Sequence, residues 1–362
     1  MNNKVYKSTH IFLGNFVSLI FSPFYGLCNL FRGVHSIDKT EINTILVTEY
    51  HRIGDVFIIM SALKSIKNTF PNAKLILVCH ESAVSIAKDL KVADEVLSFS
   101  APWTEWSWSI FDWVKARSFA KRLRKKNIDL AFDFKGDFRN AWFLWHTRSK
   151  ISLGYFTTGG KYFFTHSYKM NQSLHQSLRA EKLTEKAGCK KQSQKNFKWR
   201  INKKGSIVLH NGATDKRRTW PVNHWVDLAV LLLKEYQITF VKTSESQDLE
   251  KQLRYKRLNV KSFQGDLIEF KNWLYNQRCL IAPDSMAGHL AAYVGIPVFT
   301  IFGSQNSNLT HPMSDLGRSI VPDKQCRHKR DHWRLCQFCM ESISPIKVNN
   351  IVKKQLSRIE SQ

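Results

Sequence analysis

Residues Cys279 to Gly303 read CLIAPDSMAGHLAAYVGIPVFTIFG, and this stretch decides the fold of the chain. It starts with a short apolar run, Cys279 to Ala282, and finishes with a second one, Pro297 to Phe302; both are typical of buried strands. Ser285 to Val294, between them, has the small and apolar spacing of a tightly packed helix. The pattern therefore predicts a strand, helix, strand unit of an α/β protein with parallel strands.

The first junction of this unit has the residues of a ligand site. Pro283, Asp284 and Ser285 supply a turn and a helix N-cap, so the first N–H groups of the helix would be free to bind a phosphate. Gly288 would let a ligand approach the backbone. His289, one turn into the helix, can donate a hydrogen bond to an anion or a sugar hydroxyl. An ordinary helix cap without a ligand has the same residues, so this stretch alone leaves both interpretations open.

Composition indicates a globular protein with a strong basic excess. The 362 residues are 43% hydrophobic and 23% charged, which is enough for two domains with separate cores. The formal net charge of +26 predicts attraction to nucleic acid, to an anionic membrane face or to a phosphorylated substrate, unless it is only a solvated basic surface. Seven scattered cysteines, an odd number, favour a reducing compartment over a disulfide framework.

The N-terminal segment Ile11 to Phe31 carries no charge and is nearly long enough to span a bilayer. Asn15, Ser18 and Pro23 within it argue against a spanning helix, and no small-x-small cleavage site precedes Arg32. We interpret it as an interfacial, re-entrant or docking segment that places the protein on the cytoplasmic face of the membrane. The alternative is an appendage packed on the protein's own core.

From Thr44 onward, short apolar runs alternate with amphipathic segments, which predicts parallel strands joined by crossover helices. The pattern restarts after a polar, basic linker at Gln192 to Lys204. The predicted organisation is a membrane-associating segment, two Rossmann-like domains that face each other across the linker, and a cysteine-containing tail with a terminal helix. Their residues are 1–41, 42–195, 205–325 and 326–362. Neither half has a Gly-x-Gly-x-x-Gly or Walker-type loop, which argues against dehydrogenases and P-loop enzymes.

Two further loops follow predicted strands and contain residues that could catalyse a reaction or bind a ligand. Asp55 follows the first strand at the start of a helix, where its carboxylate would stay ionised and accept a proton from a hydroxyl; a plain cap is the alternative. In the second half, the loop His210 to Pro221 combines a glycine turn, Thr214 and three consecutive cations that end at Arg218. This loop could cradle a diphosphate, or be a basic loop without a ligand.

Together these residues make the sequence resemble the ADP-heptose:lipopolysaccharide heptosyltransferases of glycosyltransferase family 9 over residues 44 to 355. The resemblance lies in four places of matching order and spacing: Arg52-Ile53-Gly54-Asp55, Asp133-x-x-Gly136-x-x-Arg139, the loop ending Arg218-Thr219-Trp220-Pro221, and Asp284-Ser285-x-x-x-His289 with its continuation to Gly303. It implies a GT-B fold and an inverting, metal-independent transfer of heptose from ADP-heptose to the inner core of lipopolysaccharide.

The resemblance also implies roles for individual residues. Asp55 is similar to the general base that deprotonates the acceptor hydroxyl, and Arg52 and Arg139 would hold an anionic group of the acceptor. The first domain would thus bind the acceptor and the second the nucleotide sugar. The residues assigned to the donor are Thr214, Arg218, Asp284, Ser285, His289 and Glu245. No cofactor or metal is implied.

Several positions depart from the family pattern. Arg218 replaces a usual Lys, which keeps the charge, and Lys135 replaces a frequent Gln. Met286 replaces a small residue beside the sugar pocket, and Lys242 with Thr243 replaces a glycine pair next to Glu245. In the tail, Cys326, His328, His332, Cys336 and Cys339 suggest zinc, although similar tails occur in relatives that do not need a metal.

Three rival functions remain at this point. A family 9 enzyme could use another nucleotide sugar or a glycan outside the core, and Met286 favours that alternative. A basic nucleic-acid-binding protein would use aromatic residues such as Trp103, Trp106 and Trp108, but these belong to no RNA-binding motif, so we predict no nucleic-acid partner. A relative that binds the core without catalysis would not need Asp55.

Overall fold

The computed structural model describes residues 6, 8–30, 37–38, 40–104, 107, 109–191, 199–323 and 336–361. The chain divides into two compact units, residues 2–193 and 194–362. Residues 192–198 of the expected linker lie outside the described residues.

The first unit is built on a six-stranded sheet in which all strand pairs are parallel, in the order β3-β2-β1-β4-β5-β6. This order, in which the chain moves outward from β1 first to one side and then to the other, is that of a doubly wound fold. The strands are β1 Thr44–Glu49, β2 Lys74–Cys79, β3 Glu95–Ser98, β4 Leu130–Asp133, β5 Ile151–Tyr155 and β6 His166–Tyr168.

Helices cover both faces of this sheet because its side chains are apolar on both. Ile45 and Val47 of β1 pack into one core cluster, while Leu46 between them packs into the other. The helices of this unit are α1 Ser8–Leu30, α2 Ile53–Ile58, α3 Met60–Thr69, α4 Glu81–Asp89, α5 Ile110–Leu123, α6 Phe138–Thr147 and α7 Gln176–Glu185. Helices α2 and α3 are separated at Ile59.

The N-terminal segment forms the long helix α1, of which Ser8–Asn29 is long and apolar enough by length and composition to cross a membrane. One face of α1 packs on the first unit. Ser18 accepts the Gly160 N–H at 2.8 Å, and the Tyr25 ring contacts the ring of Trp145 at 4.9 Å. Gly14 allows the close approach, since a Cβ there would lie 2.3 Å from the Thr158 carbonyl oxygen.

The second unit repeats the architecture, with a parallel six-stranded sheet in the order β12-β11-β10-β7-β8-β9. Its strands are β7 Ile207–Leu209, β8 Ile238–Val241, β9 Lys261–Phe263, β10 Cys279–Pro283, β11 Val298–Ile301 and β12 Arg318–Ile320. Its helices are α8 Val222–Leu232, α9 Gln247–Tyr255, α10 Leu267–Leu274, α11 Met286–Val294, α12 Ser307–Thr310, α13 Gln337–Glu341 and α14 Pro345–Glu360.

The strand, helix, strand unit predicted for Cys279 to Gly303 is confirmed, and it consists of β10, α11 and β11. Strands β10 and β11 are buried at every residue and pair in parallel, Leu280 with Val298. Helix α11 ends at Gly295, whose φ of +89° lies in the left-handed region that glycine adopts without strain. The expected α/β class with parallel sheets is therefore correct.

Candidate functional site

The carboxyl end of β1 leads directly to Asp55. The strand ends at Glu49, and Asp55 is the third residue of α2, where its Oδ2 accepts the Arg52 N–H at 3.2 Å. The carboxylate is thus held at the helix start by the backbone, as in a capping arrangement. Its side chain stays 22% exposed, so a hydroxyl can reach it.

Lys135, from the loop after β4, neutralises this carboxylate. Its Nζ donates to Asp55 Oδ1 at 2.6 Å and lies 3.1 Å from Glu49 Oε2. Glu49 is fully buried and its other oxygen lies 3.2 Å from His51 Nδ1. The edge of the first sheet therefore holds two carboxylates and one shared ammonium group.

The environment stabilises the ionised form of Asp55. Burial acts to raise its pKa, but the Lys135 and His51 charges and the hydrogen bonds from Lys135 and the Arg52 N–H outweigh burial and hold the pKa well below its usual range. Burial conversely acts to lower the pKa of Lys135, while Asp55 and Glu49 raise it above its ordinary value. Asp55 is consequently an anion, and Lys135 a cation, throughout the neutral range.

The motif Asp133-x-x-Gly136 forms the turn that places Lys135. Asp133 is buried, and its carboxylate accepts the Gly136 N–H at 3.2 Å and the Asn140 side-chain amide at 3.0 Å. Burial raises the pKa of Asp133 to about 7. Gly136 has a φ of +73°, which glycine adopts without strain. The Tyr6 hydroxyl donates to the Lys135 carbonyl at 2.9 Å, so the N-terminal region also supports this turn.

Of the two arginines expected to hold the acceptor, Arg139 already has a carboxylate partner. Its Nε and Nη2 donate to Asp137 at 2.9 and 2.7 Å, a bidentate pair at the start of α6. Arg52 precedes α2 and is exposed beside Asp55. Arg139 is thus paired at the start of its own helix, while Arg52 is exposed next to the candidate base.

In the second unit, the predicted donor residues gather at the carboxyl ends of β7 and β10. Asp284 and Ser285 follow β10 directly, with Ser285 at the N-cap of α11. The Ser285 hydroxyl makes no hydrogen bond to any described residue, and it does not cap the helix. Buried polar atoms almost always have a partner, so this hydroxyl and the free N–H groups of α11 are available to a ligand.

Arg218 points to the same place from the loop after β7. Its Nη1 lies 3.7 Å from Asp284 Oδ2, while its buried Nε has no partner among the described residues. Arg217 beside it is exposed and pairs bidentately with Asp215 at 3.0 and 2.7 Å. Thr214, at the start of this loop, is exposed. Of the adjacent pair Arg217 and Arg218, Arg218 is the one that lies at the start of α11.

Further unsatisfied atoms lie in loops at this edge of the second sheet. Asn211 Oδ1 after β7 and Gln305 Nε2 after β11 are both buried and unpartnered within the described part of the chain. Together with Arg218 Nε and Ser285 Oγ they lie in loops that leave the carboxyl ends of three neighbouring strands, β7, β10 and β11. In a doubly wound sheet this edge is where ligands bind, and several unmet donors and acceptors indicate a polar ligand.

Protein atoms surround His289 and Gly288 of α11. His289 is buried on α11 with 8% of its surface exposed. A Cβ on Gly288 would meet Pro312 at 3.0 Å and Thr300 at 3.4 Å, so protein atoms, and not open space for a ligand, lie against this glycine. The small residue serves the packing of α11 against the following loop.

Glu245 lies near the end of β7 from the loop after β8. Its carbonyl accepts the Asn211 side-chain amide at 3.2 Å, and its carboxylate lies close to Gly212. Burial lowers the pKa of the neighbouring His210 to about 4, so this ring is neutral at pH 7. Lys242 is paired with Glu250 of α9 at 3.0 Å. Glu245 is exposed at the edge of the site.

Among the described residues, no group of three or more His, Cys, Asp or Glu side chains could hold a metal ion. Cys326, His328 and His332 of the suggested zinc site lie outside the described residues. Trp106 and Trp108, two of the aromatic residues considered as nucleic-acid contacts, also lie outside the described residues. Trp103 is buried and donates to Asn140 at 2.7 Å, so it is a core residue without a free stacking face.

Comparison with known proteins identifies a family that the chain matches. The sequence profile described as glycosyltransferase family 9 (heptosyltransferase) matches residues 116–337, a range that contains the donor loops and Lys135 but begins after Asp55. No curated protein sequence matches the chain.

Solved structures share the fold. Escherichia coli heptosyltransferase WaaC with ADP is 17% identical, with a TM-score of 0.68 over 86% of this chain and 99% of that one. Escherichia coli ADP-heptose lps heptosyltransferase II is 16% identical, with a TM-score of 0.66 over 88% and 99%. A family 9 glycosyl transferase from Veillonella parvula is 14% identical, with a TM-score of 0.71 over 89% and 100%. The likeness shows that the two Rossmann-like domains follow the GT-B plan.

Proposed function

The chain belongs to glycosyltransferase family 9 and is a glycosyltransferase, and from this premise we propose that it transfers heptose from ADP-heptose to a sugar of the lipopolysaccharide inner core. The proposal rests on the different chemical groups that the two units present. The first sheet presents an ionised carboxylate, and the second presents a cationic cradle with unmet hydrogen-bond groups.

The donor assignment is supported by the groups at the start of α11. The Ser285 hydroxyl, the N-terminal N–H groups of α11 and Arg218 offer hydrogen bonds and positive charge to a diphosphate. The Escherichia coli WaaC structure contains ADP, and the second relative is an ADP-heptose lps heptosyltransferase. ADP-heptose is therefore the donor that we propose.

Asp55 is the proposed general base. An inverting transfer needs a group that takes the proton of the acceptor hydroxyl as the hydroxyl oxygen attacks the anomeric carbon. An anionic, partly exposed carboxylate at the edge of the first sheet fits that task. Its low pKa makes it a weak base while Lys135 is paired with it, but also keeps it ionised throughout the neutral range.

We propose that the leaving diphosphate is stabilised without a divalent metal. Negative charge grows on the diphosphate as its bond to the sugar breaks, and positive groups placed there beforehand lower the barrier. Arg218 supplies one full charge, and the α11 N-terminus supplies a partial one. Asp284, the acidic residue beside them, lies 3.7 Å from Arg218.

The acceptor proposal explains the N-terminal helix. Opposite its docked face, α1 exposes a row of large apolar side chains with 47 to 74% of their surface accessible: Phe12, Leu13, Phe16, Leu19, Ile20, Phe21, Phe24 and Leu27. A patch of this extent marks a membrane or protein contact. A lipid-linked acceptor and a net charge of +26 favour an anionic membrane as the contact.

The docked residues indicate how α1 lies on that membrane. Contacts from Gly14 to Asn29 hold its side against the first unit over about 22 Å. A helix held side-on in this way would carry the folded unit into the hydrocarbon core if it crossed the bilayer. We therefore propose peripheral binding to the cytoplasmic face of the inner membrane, with α1 in the plane of the interface.

A different nucleotide sugar is the second candidate, because Met286 stands at the first position of α11, beside the donor groups, and is partly exposed. The test is a panel of ADP-heptose, ADP-glucose, UDP-glucose and UDP-N-acetylglucosamine with a heptose-deficient core acceptor in EDTA. We expect transfer from ADP-heptose alone. Preference for another donor would contradict the proposed donor but not the family assignment. Activity that requires added Mg²⁺ would contradict the metal-independent mechanism.

A further inference from the structure

The N-terminal helix α1 is held on the first unit by a narrow strip of its surface. Of residues 8–29, only Ser18 is buried, and its hydroxyl accepts the Gly160 N–H at 2.8 Å. One turn earlier, Gly14 lies against Thr158, whose carbonyl oxygen a Cβ would meet at 2.3 Å. Both contacts are made with residues 156–160, the loop that follows β5. The first half of α1 is therefore docked on this β5 loop.

The other side of the β5 loop supports the turn that holds Lys135. The Thr158 N–H donates to the Gly136 carbonyl at 3.2 Å, and the Thr158 hydroxyl accepts the Phe138 N–H at 2.8 Å. Thr158 is buried, and a Cβ on Gly136 would lie 2.8 Å from Thr157 Oγ1, so the loop and the turn are closely packed. Because closely packed interiors transmit strain, a shift of α1 would pass through Thr158 to this turn.

A second contact joins the N-terminal segment to the same turn. Tyr6 precedes α1, and its hydroxyl donates to the Lys135 carbonyl at 2.9 Å, across 129 positions of the chain. Burial raises the pKa of Tyr6 well above its ordinary value, and the charges of Asp137 and Asp133 act in the same direction. The hydroxyl therefore stays protonated and remains a donor. The N-terminal segment thus reaches the turn directly through Tyr6 and indirectly through Gly14 and the β5 loop.

We propose that the docked position of α1 sets the geometry of the ion pair between Lys135 and Asp55, with Tyr6 and Thr158 as positioning residues. The Lys135 side chain leaves the supported turn, and its Nζ donates to Asp55 Oδ1 at 2.6 Å, so a shift of the turn changes this contact directly. Glu49 Oε2 lies 3.1 Å from the same ammonium group. A small displacement therefore decides how the ammonium group is shared between the two carboxylates.

One helix then serves both the membrane and the active site. The exposed apolar row of α1 is the face assigned to the membrane, and the strip with Gly14 and Ser18 is the face docked on the first unit. Whatever binds the exposed row consequently acts on the docked strip and, through it, on Lys135. That this ion pair serves catalysis rests on the proposed function, whereas the link from α1 to Lys135 rests only on the contacts between them.

The first test compares Gly14→Ala with Gly26→Ala in the full chain. A Cβ at position 14 must move about 1 Å from the Thr158 carbonyl to reach van der Waals distance, whereas one at position 26 has nothing within 4 Å. Both changes bring the same gain in helix propensity, so their difference reports the docking contact. We expect Gly14→Ala to lower kcat by about 10-fold with the KM for ADP-heptose unchanged, and Gly26→Ala to match wild type. Tyr6→Phe, which lacks only the hydroxyl, should lower kcat by a smaller factor, again without a change in KM.

The second test is a double-mutant cycle with Lys135→Gln, measured by urea unfolding and by kcat. The three atoms nearest to a Cβ at position 14 all belong to Thr158, so packing effects at positions 14 and 135 would simply add if α1 did not act through Lys135. We expect the double variant to lose less unfolding free energy than the sum of the single losses. In the Lys135→Gln background, Gly14→Ala should change kcat by less than about 2-fold.

Additive losses of unfolding free energy would overturn the proposal, as would equal kcat values for Gly14→Ala and Gly26→Ala. Tyr6→Phe is taken through the same cycle, so that the test stands if Gly14→Ala does not fold. The urea measurement needs no substrate. A wild-type protein that transfers no sugar but shows non-additive unfolding would refute the proposed function and support the link from α1 to Lys135, whereas transfer with additive unfolding would do the reverse.

Discussion

The ammonium group of Lys135 lies 2.6 Å from the carboxylate of Asp55, although 80 positions separate the two residues in the chain. The pair forms because β1 and β4 are neighbours in the first sheet, so the loops at their carboxyl ends meet. Both side chains are mostly buried, at 14 and 22% exposure. The candidate base is thus held in its ionised form by a residue that the family resemblance marked only as a departure.

Replacing Lys135 by glutamine should raise the pKa of Asp55. An opposite charge at this distance lowers a carboxyl pKa by about 1 to 3 pH units, so the acid limb of the pH profile of kcat/KM should move upward by a similar amount. Lys126→Gln is the control, since Lys126 forms a surface ion pair with Glu95 in the same unit. An unchanged acid limb in Lys135→Gln would show that Asp55 does not control that limb.

The same variant should change the pH dependence of stability. The folded pKa of Asp55 is below its unfolded value and that of Lys135 is above, so the pair stabilises the fold fully between about pH 4 and pH 10.4. The contribution declines as the pH falls below the unfolded Asp value, and again as it rises above the unfolded Lys value. The melting temperature of Lys135→Gln should therefore be lowered most at neutral pH and approach that of wild type in acid. An equal loss at every pH would indicate a packing defect instead.

Arg218→Gln should weaken ADP binding by about 10-fold or more, because a charge-assisted contact to phosphate is lost. The neighbouring Arg217→Gln is a matched control: its guanidinium is exposed and already paired with Asp215. Titration calorimetry with ADP measures both variants. If the two bind ADP equally, Arg218 has no part in the donor site.

The exposed face of α1 should carry membrane binding. Phe16→Glu combined with Phe24→Glu should abolish sedimentation with vesicles that contain anionic phospholipid, since two charges replace buried apolar contacts with the interface. Phe338→Glu with Ile346→Glu, exposed apolar residues of the second unit, is the control pair. Alkaline carbonate should extract the wild-type protein from membranes; resistance to extraction would indicate a spanning helix.

Much of the fold was predictable because the strands β1, β2, β4, β5, β8, β10 and β11 are apolar runs bounded by turn residues. The edge strands β6 and β12 are not predictable in this way. They read His-Ser-Tyr and Arg-Ser-Ile, are three residues long and are only partly buried, so they carry no apolar run. Helix α7 is hard to predict for a related reason, since its sequence, QSLRAEKLTE, has few apolar residues and yet buries Arg179 and Glu181.

The sequence predicts only those residues of the candidate site that lie at the end of a strand or the start of a helix. Asp55 after β1, and Asp284 with Ser285 after β10, follow from strand ends and helix starts in the sequence. The partners of these residues come from distant loops, and the order of strands in each sheet decides which loops meet. The contacts of Lys135 with Asp55 and of Asp137 with Arg139 therefore became visible only in three dimensions.

The central claim, that Asp55 is the base of a glycosyltransferase, is tested most directly by heptose transfer in EDTA from ADP-heptose to a heptose-deficient core by Asp55→Asn. Asp94→Asn is the control, because Asp94 is an ion-paired carboxylate on the surface of the same unit. We expect kcat of Asp55→Asn to fall by about 10²- to 10⁴-fold while ADP affinity is kept and the protein, although its melting temperature is lowered by the loss of the ion pair with Lys135, stays folded at the assay temperature; Asp94→Asn should remain active. Transfer by Asp55→Asn at the wild-type rate would contradict the account.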